Sequence, residues 1–577
     1  MVRYIILIFL ALLPLYNAQA QKINPADYIY PVEGVQRLYS ANFGELRPDH
    51  FHSGIDIKTE GVEGKRVVAV ADGYVSRVGM SPYGYGLAIY VTLHNGTTAV
   101  YGHLSAFRDD IAEYVRKERY RTKQNTISLY LRPETFPVKQ GDLIAYSGNT
   151  GSSSGPHVHY EIRETNSQRP INVIAEGIVT PRDTRKPLIF RVHYVEVDTV
   201  RGVAYAAPRR TYEAKSIGDG EYTLTLESNQ IAVGRSGYFV AEVSDRKDDV
   251  TNTFGVHSFE GKIDGDTFFK YQIDGFRFDQ TRYVNGVSCY AMKLGSRNEI
   301  IRLARPECGT AIFYPTIKNR GVVGCSAGES REVEMIATDD CGLYSTLRFS
   351  ITGKQTRFEA KVDPSLPIIR ATQPFSYAKD GLSVSIPSLA LYESMPFRSS
   401  IVTRRGAVAD STVRVASPIY KILSDSIPLH KAMTIAIDVE LEGSEQSKAT
   451  IAKISRTTGK ASSVGGSYSG GKVSVDSRSA GEYLVVVDKV PPTVRANFAD
   501  GADLTSRSSL SFNVSDNFAG VKSYNAYIDG QWVALDFSRG VMHHKFVTKG
   551  NGEIHTIKIE VSDGCGNKTV VERKFKR

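Results

Sequence analysis

Cysteine is missing from the first half of this 577-residue chain, and only five occur in all: Cys289, Cys308, Cys325, Cys341 and Cys565. A disulfide-built N-terminal half is therefore excluded. No C-x-x-C occurs, so a cysteine-held zinc site is excluded as well. The odd count leaves at least one thiol outside any internal disulfide, and Cys308 with Cys325 is the expected pair. Long apolar runs are also missing. Beyond the first twenty residues nothing approaches the roughly eighteen apolar positions that a membrane-spanning helix needs, so no transmembrane span is expected in the mature chain. Long Lys/Arg runs are absent too, although the formal net charge is +9. That combination argues against nucleic acid as a partner and suits an anionic surface or polymer such as a cell envelope.

What is present reads as an exported multidomain protein. Arg3, the apolar run Tyr4 to Leu13 and the small-residue site Ala18-Gln19-Ala20 predict a secretory signal peptide over residues 1–20. No cysteine follows the run, so a lipid anchor is not expected. The expected location is the periplasm or cell envelope, or outside the cell. At 41% hydrophobic and 23% charged residues, disorder does not account for the length, and a chain this long divides among about three to five cores.

The pattern is mainly β. Asp72-Gly73 and Asn95-Gly96 sit between alternating runs and predict hairpins. An antiparallel β domain is expected over 21–185, interrupted by an insertion at 106–136 whose segment 111–123 reads as a short helix. Three immunoglobulin-like or other β-sandwich domains are expected behind it, at 186–355, 356–489 and 490–577. The Ser/Gly-rich stretch 456–482 reads as a long loop. A strand-turn phrase recurs as EVSDRKDD (242–249), IATDDCG (336–342), NVSDNFAG (513–520) and EVSDGCGN (560–567).

Six of the twelve histidines precede residue 160, which places any chemistry in the first domain. A hydrolytic zinc site takes three His or carboxylate ligands and keeps a place for water. His52, Asp56 and His159 supply such a set, with Gly54 allowing a bend between the first two. His157 shares a strand face with His159, and His103 follows a predicted strand. These two imidazoles are suited to proton transfer and oxyanion stabilisation. The Gly/Ser loop before His157 is expected to let a peptide substrate approach the backbone. His50 could compete as a ligand, although an exposed role is expected for it. His94 reads as a strand-end residue, Tyr101 and Tyr160 as groove walls or sheet residues, and Arg47 as an exposed loop arginine. His543, His544 and His555 have no companions at ligand spacing.

The segments NFGELRPDHFHSGIDIK (42–58), AVYGHLS (99–105) and GDLIAYSGNTGSSSGPHVHYEIR (141–163) together resemble the LytM/lysostaphin-type zinc metallopeptidases of bacterial cell walls. The resemblance implies one zinc ion per chain, held by His52, Asp56 and His159, with His103 and His157 as catalytic residues. It implies hydrolysis by a zinc-activated water, with peptidoglycan stem peptides or cross-bridges as substrate. Some proteins of this type lack the ligands and instead activate amidases, so an envelope regulatory or binding protein is the alternative expectation. The insertion departs from the compact pattern and is expected at one rim of the groove.

Overall fold

The computed structural model describes residues 23–404, 409 and 411–577. The expected signal peptide lies outside the described residues. Among them, no helix is long and apolar enough to cross a membrane.

The chain is mainly β, as its alternating runs require. Twelve strands and one helix build the N-terminal domain: β1 (Tyr39–Ala41), β2 (Ile55–Lys58), β3 (Arg66–Val68), β4 (Gly73–Met80), β5 (Leu87–Leu93), β6 (Thr97–Leu104), β7 (Ala106–Phe107), α1 (Asp109–Thr122), β8 (Ile127–Tyr130), β9 (Pro137–Val138), β10 (Leu143–Tyr146), β11 (His157–Glu164) and β12 (Pro170–Ile171). The main sheet runs β1-β2-β11-β6-β5-β4-β8, with β12 on β11 and β9 on β4, and β3-β10-β7 form a small second sheet. Ile55, Ile57, Val91, Tyr101, Val158, Tyr160 and Ile162 fill the core between them. Tyr101 and Tyr160 are thus core residues and not groove walls.

Behind this domain, the strands between Leu188 and Gly353 form one twelve-stranded sheet, ten in a continuous path and two paired beside it, around a large main core. Residues 368–487 form a five-stranded and a six-stranded sheet with a two-stranded ribbon, and 493–576 form sheets of four and five strands. The stretch 456–482 is not a loop. It contains strands Ala461–Gly465, Ser467–Ser469 and Lys472–Ser479. The first belongs to one sheet and the second to the other. Gly465 (φ +90°) and Gly466 (φ +126°) make that crossing in conformations closed to most side chains. The Ser/Gly content thus marks a strand changing sheets.

The expected Cys308–Cys325 disulfide is not formed; all five thiols are free. Cys325 is buried in the core of the 188–353 unit, and Cys308 packs against the next one. The two cysteines belong to different cores.

The N-terminal domain is interlocked with its neighbours. Phe43, Leu46 and Phe51 are buried in the core of the 188–353 unit, and Phe254 of that unit is buried in the N-terminal core. The insertion also differs from expectation. β8 extends the sheet edge, and α1 faces the C-terminal unit: Arg119 donates to Asp536 Oδ1 at 2.9 Å and to the Leu535 carbonyl at 3.0 Å. The rings of Tyr120 and Trp532 meet edge to face at 5.5 Å. The charged helix is therefore an internal docking surface.

Candidate metal centre

β11 reads HVHYEIRE, and its period-two alternation builds the site. Val158, Tyr160 and Ile162 enter the core, while His157, His159, Glu161 and Arg163 occupy the opposite face. The register places Asp56 of β2 opposite His159 on one side and Gly102 of β6 opposite it on the other. Opposed residues share a face, so the Asp56 carboxylate arrives beside the His159 ring. Gly102 leaves room for the Tyr85 ring beside His159, since a Cβ there would stand 3.1 Å from Tyr85 Cδ1. Gly54 acts by close approach and not by bending: a Cβ on it would lie 2.3 Å from the Tyr160 carbonyl oxygen.

His52 Nε2 lies 3.1 Å from His159 Nδ1 and 3.2 Å from Asp56 Oδ1, and His159 Nδ1 lies 2.9 Å from Asp56 Oδ1. The outer ring atoms are already committed. His52 Nδ1 donates to the Asn42 carbonyl at 2.8 Å, and His159 Nε2 donates to Glu161 at 2.8 Å. Three lone-pair atoms therefore face one point, with at most one proton to share among them. That donor set, two imidazoles and one carboxylate with fixed tautomers, fits a zinc ion. The electrostatics agree. Burial opposes ionisation of Asp56, but His52 and His159 outweigh it and hold the carboxyl well below its usual range. Burial likewise opposes charge on His159, yet Asp56 and Glu161 raise the ring to about 9. The centre attracts positive charge at His159 Nδ1, from a proton or from a metal.

His103 reaches this face by a backbone distortion. By strict alternation it would point to the core beside Tyr101. Its φ is +60°, a left-handed conformation that costs about 1–2 kcal/mol for a residue with a Cβ, and its ring lies in the groove 4.7 Å from that of His157. His103 Nδ1 donates to the Thr150 carbonyl at 2.9 Å and His157 Nδ1 to the Gly155 carbonyl at 2.8 Å. The Gly/Ser loop thus supplies two carbonyls that orient both imidazoles and turn each Nε2 into the groove, where His157 Nε2 lies 3.6 Å from Asp56 Oδ1. Burial, reinforced by His159 and His157, pushes His103 down to about 4, so its ring is neutral.

The groove has a volume of about 610 Å³ and is lined by Arg47, Tyr85, Ser152, Ser153, Phe278 and Thr281 beside the five residues above. Phe278 and Thr281 come from the 188–353 unit, and no insertion residue lines it. His50 borders the groove but is exposed and paired with Asp49 at 2.7 Å. His94 is an exposed turn residue at the end of β5. Arg47 pairs with Glu45 at 2.8 Å.

Glu161 is the residue that sequence reasoning missed. It is fully buried and accepts hydrogen bonds from His159, Ser53, Tyr85 and Arg163. Burial pushes its carboxyl up, but Arg163 and His159 outweigh this and keep it ionised. The signal was present, because Glu161 continues the i, i+2 series of His157 and His159. Asn42, whose backbone carbonyl orients His52, carries no such pattern.

Comparison with known proteins agrees with this geometry. The family model described as peptidase family M23 matches residues 50–120 and 117–173, and a Zu5-like domain model matches residues 367–488. The DD-carboxypeptidase/endopeptidase Mpg of Neisseria meningitidis is 34% identical over 134 residues, 23% of this chain and 24% of that protein. The peptidoglycan DD-endopeptidase ShyA of Vibrio cholerae is 27% identical over 169 residues, 28% of this chain and 33% of that protein. The chain thus spans a quarter to a third of the length of these relatives. The catalytic domain of the M23 protein EnpA from Enterococcus faecalis shares 27% identity and covers 26% of this chain and 95% of its own, with a TM-score of 0.19. Over residues 50–173, the N-terminal domain of this chain thus matches peptidase family M23.

Proposed function

We propose that this chain is an exported zinc endopeptidase that cuts peptide bonds in peptidoglycan stem peptides or cross-links. The observation that carries the reading is the convergence of His52 Nε2, Asp56 Oδ1 and His159 Nδ1 to within 3.2 Å of one another, with His103 and His157 in the same groove. Zinc, when bound, supplies a Lewis acid that brings the pKa of water toward neutrality. His52, Asp56 and His159 would hold one ion per chain. Of the two free imidazoles, one takes a proton from the attacking water at Nε2. The other, protonated at Nε2, stabilises the oxyanion and hands its proton to the leaving amine. Phe278 and Thr281 give the groove a wall from the second unit, which restricts the approach of substrate.

The test is metal analysis of the purified full chain together with digestion of purified peptidoglycan, the fragments being identified by mass spectrometry. One zinc per chain and cleaved peptide bonds are expected. Bound zinc without any cleaved bond would overturn the enzyme reading in favour of an envelope protein that docks on and activates an amidase.

A further inference from the structure

The recurring phrases in the sequence converge in pairs. Asp245 of EVSDRKDD meets Asp339 of IATDDCG, and Asp516 of NVSDNFAG meets Asp563 of EVSDGCGN. Each pair gains a third aspartate from the segment leading into its own sheets, Asp183 before Leu188 and Asp488 before Thr493. Within each trio, one carboxylate oxygen per residue lies within 4.8 Å of the others. The same construction arises twice, in two separate units, so it does not come from one local loop.

The first trio is deeply buried. Asp245 is 0% and Asp339 1% exposed, and the Asp183 side chain is 1% exposed. Asp340 adjoins them. The one cation among them is Lys247, whose Nζ lies 3.0 Å from Asp183, 2.6 Å from Asp340 and 3.5 Å from Asp245. Four carboxylates against one ammonium leave a large negative excess out of water. Neither oxygen of Asp245 receives a hydrogen bond, nor does Oδ2 of Asp339. Buried carboxylates without donors are strongly unfavourable unless they coordinate a metal or take up a proton.

We propose that Asp183, Asp245 and Asp339 bind one hard divalent cation of the calcium class. The unbonded donors, both oxygens of Asp245 and Oδ2 of Asp339, are carboxylate oxygens, which select a hard ion over zinc; Asp183 Oδ2 would share its bond with Lys247. The nearby Cys341 thiol is turned to Asp340, donating to its Oδ1 at 3.7 Å. Flexible coordination by whole carboxylates favours calcium over magnesium, which keeps most of its water. The ion would tie the segment leaving the peptidase domain to the next unit. It would also lie beside Asp340, whose Oδ2 accepts from Asn42 Nδ2 at 3.1 Å.

The test uses the full chain, freed of metal and reloaded with zinc. Calcium binding is followed by calorimetry and by the thermal unfolding temperature, with magnesium as control. Calcium is expected to bind and raise the unfolding temperature, with magnesium much less effective. Asp245→Asn/Asp339→Asn is expected to lose one calcium equivalent with zinc content unchanged. Asp516→Asn/Asp563→Asn is expected to retain that equivalent. Should the first double variant fail to fold, Asp183→Asn, on the connecting segment, must show the same loss. The proposal is overturned if millimolar calcium neither binds nor shifts unfolding, or if wild type and the folded first-trio variant bind equal amounts.

Discussion

The side-chain amide of Asn42 donates to Asp340 at 3.1 Å, although the two residues are 298 positions apart. Asn42 also exchanges hydrogen bonds with the backbone of Gly255 at 3.0 Å in each direction. Its own carbonyl holds the His52 ring. His52, a candidate ligand, is therefore positioned by a residue that the second unit holds in place. Asn42→Ala keeps the carbonyl but frees the segment, and zinc affinity is expected to fall by roughly tenfold, the lower end for residues behind a ligand. Competition with a chromogenic chelator measures it.

Glu161 fixes the His159 tautomer from two residues along the same strand. Glu161→Gln retains the shape but loses the charge that raises ligand basicity, and about a 10- to 100-fold loss of zinc affinity is expected. Glu161→Ala should also destabilise the fold, because Arg163 is left buried without its carboxylate. Chelator competition and chemical unfolding separate the two effects, and equal zinc affinity in Glu161→Gln would disprove the role of the carboxylate charge.

The five groove residues divide into two groups that metal content distinguishes. Alanine at His52, Asp56 or His159 is expected to remove both zinc and activity. Alanine at His103 or His157 is expected to leave zinc bound while turnover falls on the order of 10²- to 10⁴-fold. A His103→Ala protein with full zinc and wild-type turnover would contradict the proton-transfer role.

Cutting the chain near residue 185 does not isolate the peptidase domain cleanly. Phe43, Leu46 and Phe51 would lose the core in which they are buried, and a soluble, stable fragment is not expected. Within the full chain, Phe51→Ala should cost about 3–5 kcal/mol, the usual range for a buried aromatic, as measured by denaturant unfolding.

The last unit is the better target for a test of gating. It holds α1 through Arg119 and Tyr120, and Arg539 reaches the groove rim at the Ser153 carbonyl, 3.5 Å away. No other residue of this unit is bonded to the groove lining among the described residues. Removing residues 490–577 is therefore expected to leave zinc content and hydrolysis of short soluble peptides unchanged. A large gain in peptide turnover would identify the unit as a lid.

The sequence by itself determined the local features of this protein. Alternation and the Asn95-Gly96 hairpin showed that the chain is mainly β, because side-chain direction in a strand has a period of two and that dipeptide fits a tight turn; the hairpin expected at Asp72-Gly73 is not formed, since the strands on either side of it, β3 and β4, belong to different sheets. The spacing of His52 and Asp56, and of His157 and His159, was enough to select the histidines and carboxylate that meet in the groove. The tertiary structure decided everything that depends on packing between distant segments. It placed His103 in the groove through a left-handed backbone that alternation does not foresee. It kept Cys308 and Cys325 apart in separate cores, turned the Ser/Gly stretch into strands that change sheets, and gave the insertion helix a partner in the last unit. Those outcomes rest on long-range contacts, and no local pattern of residue types encodes which distant surface will cover a given face.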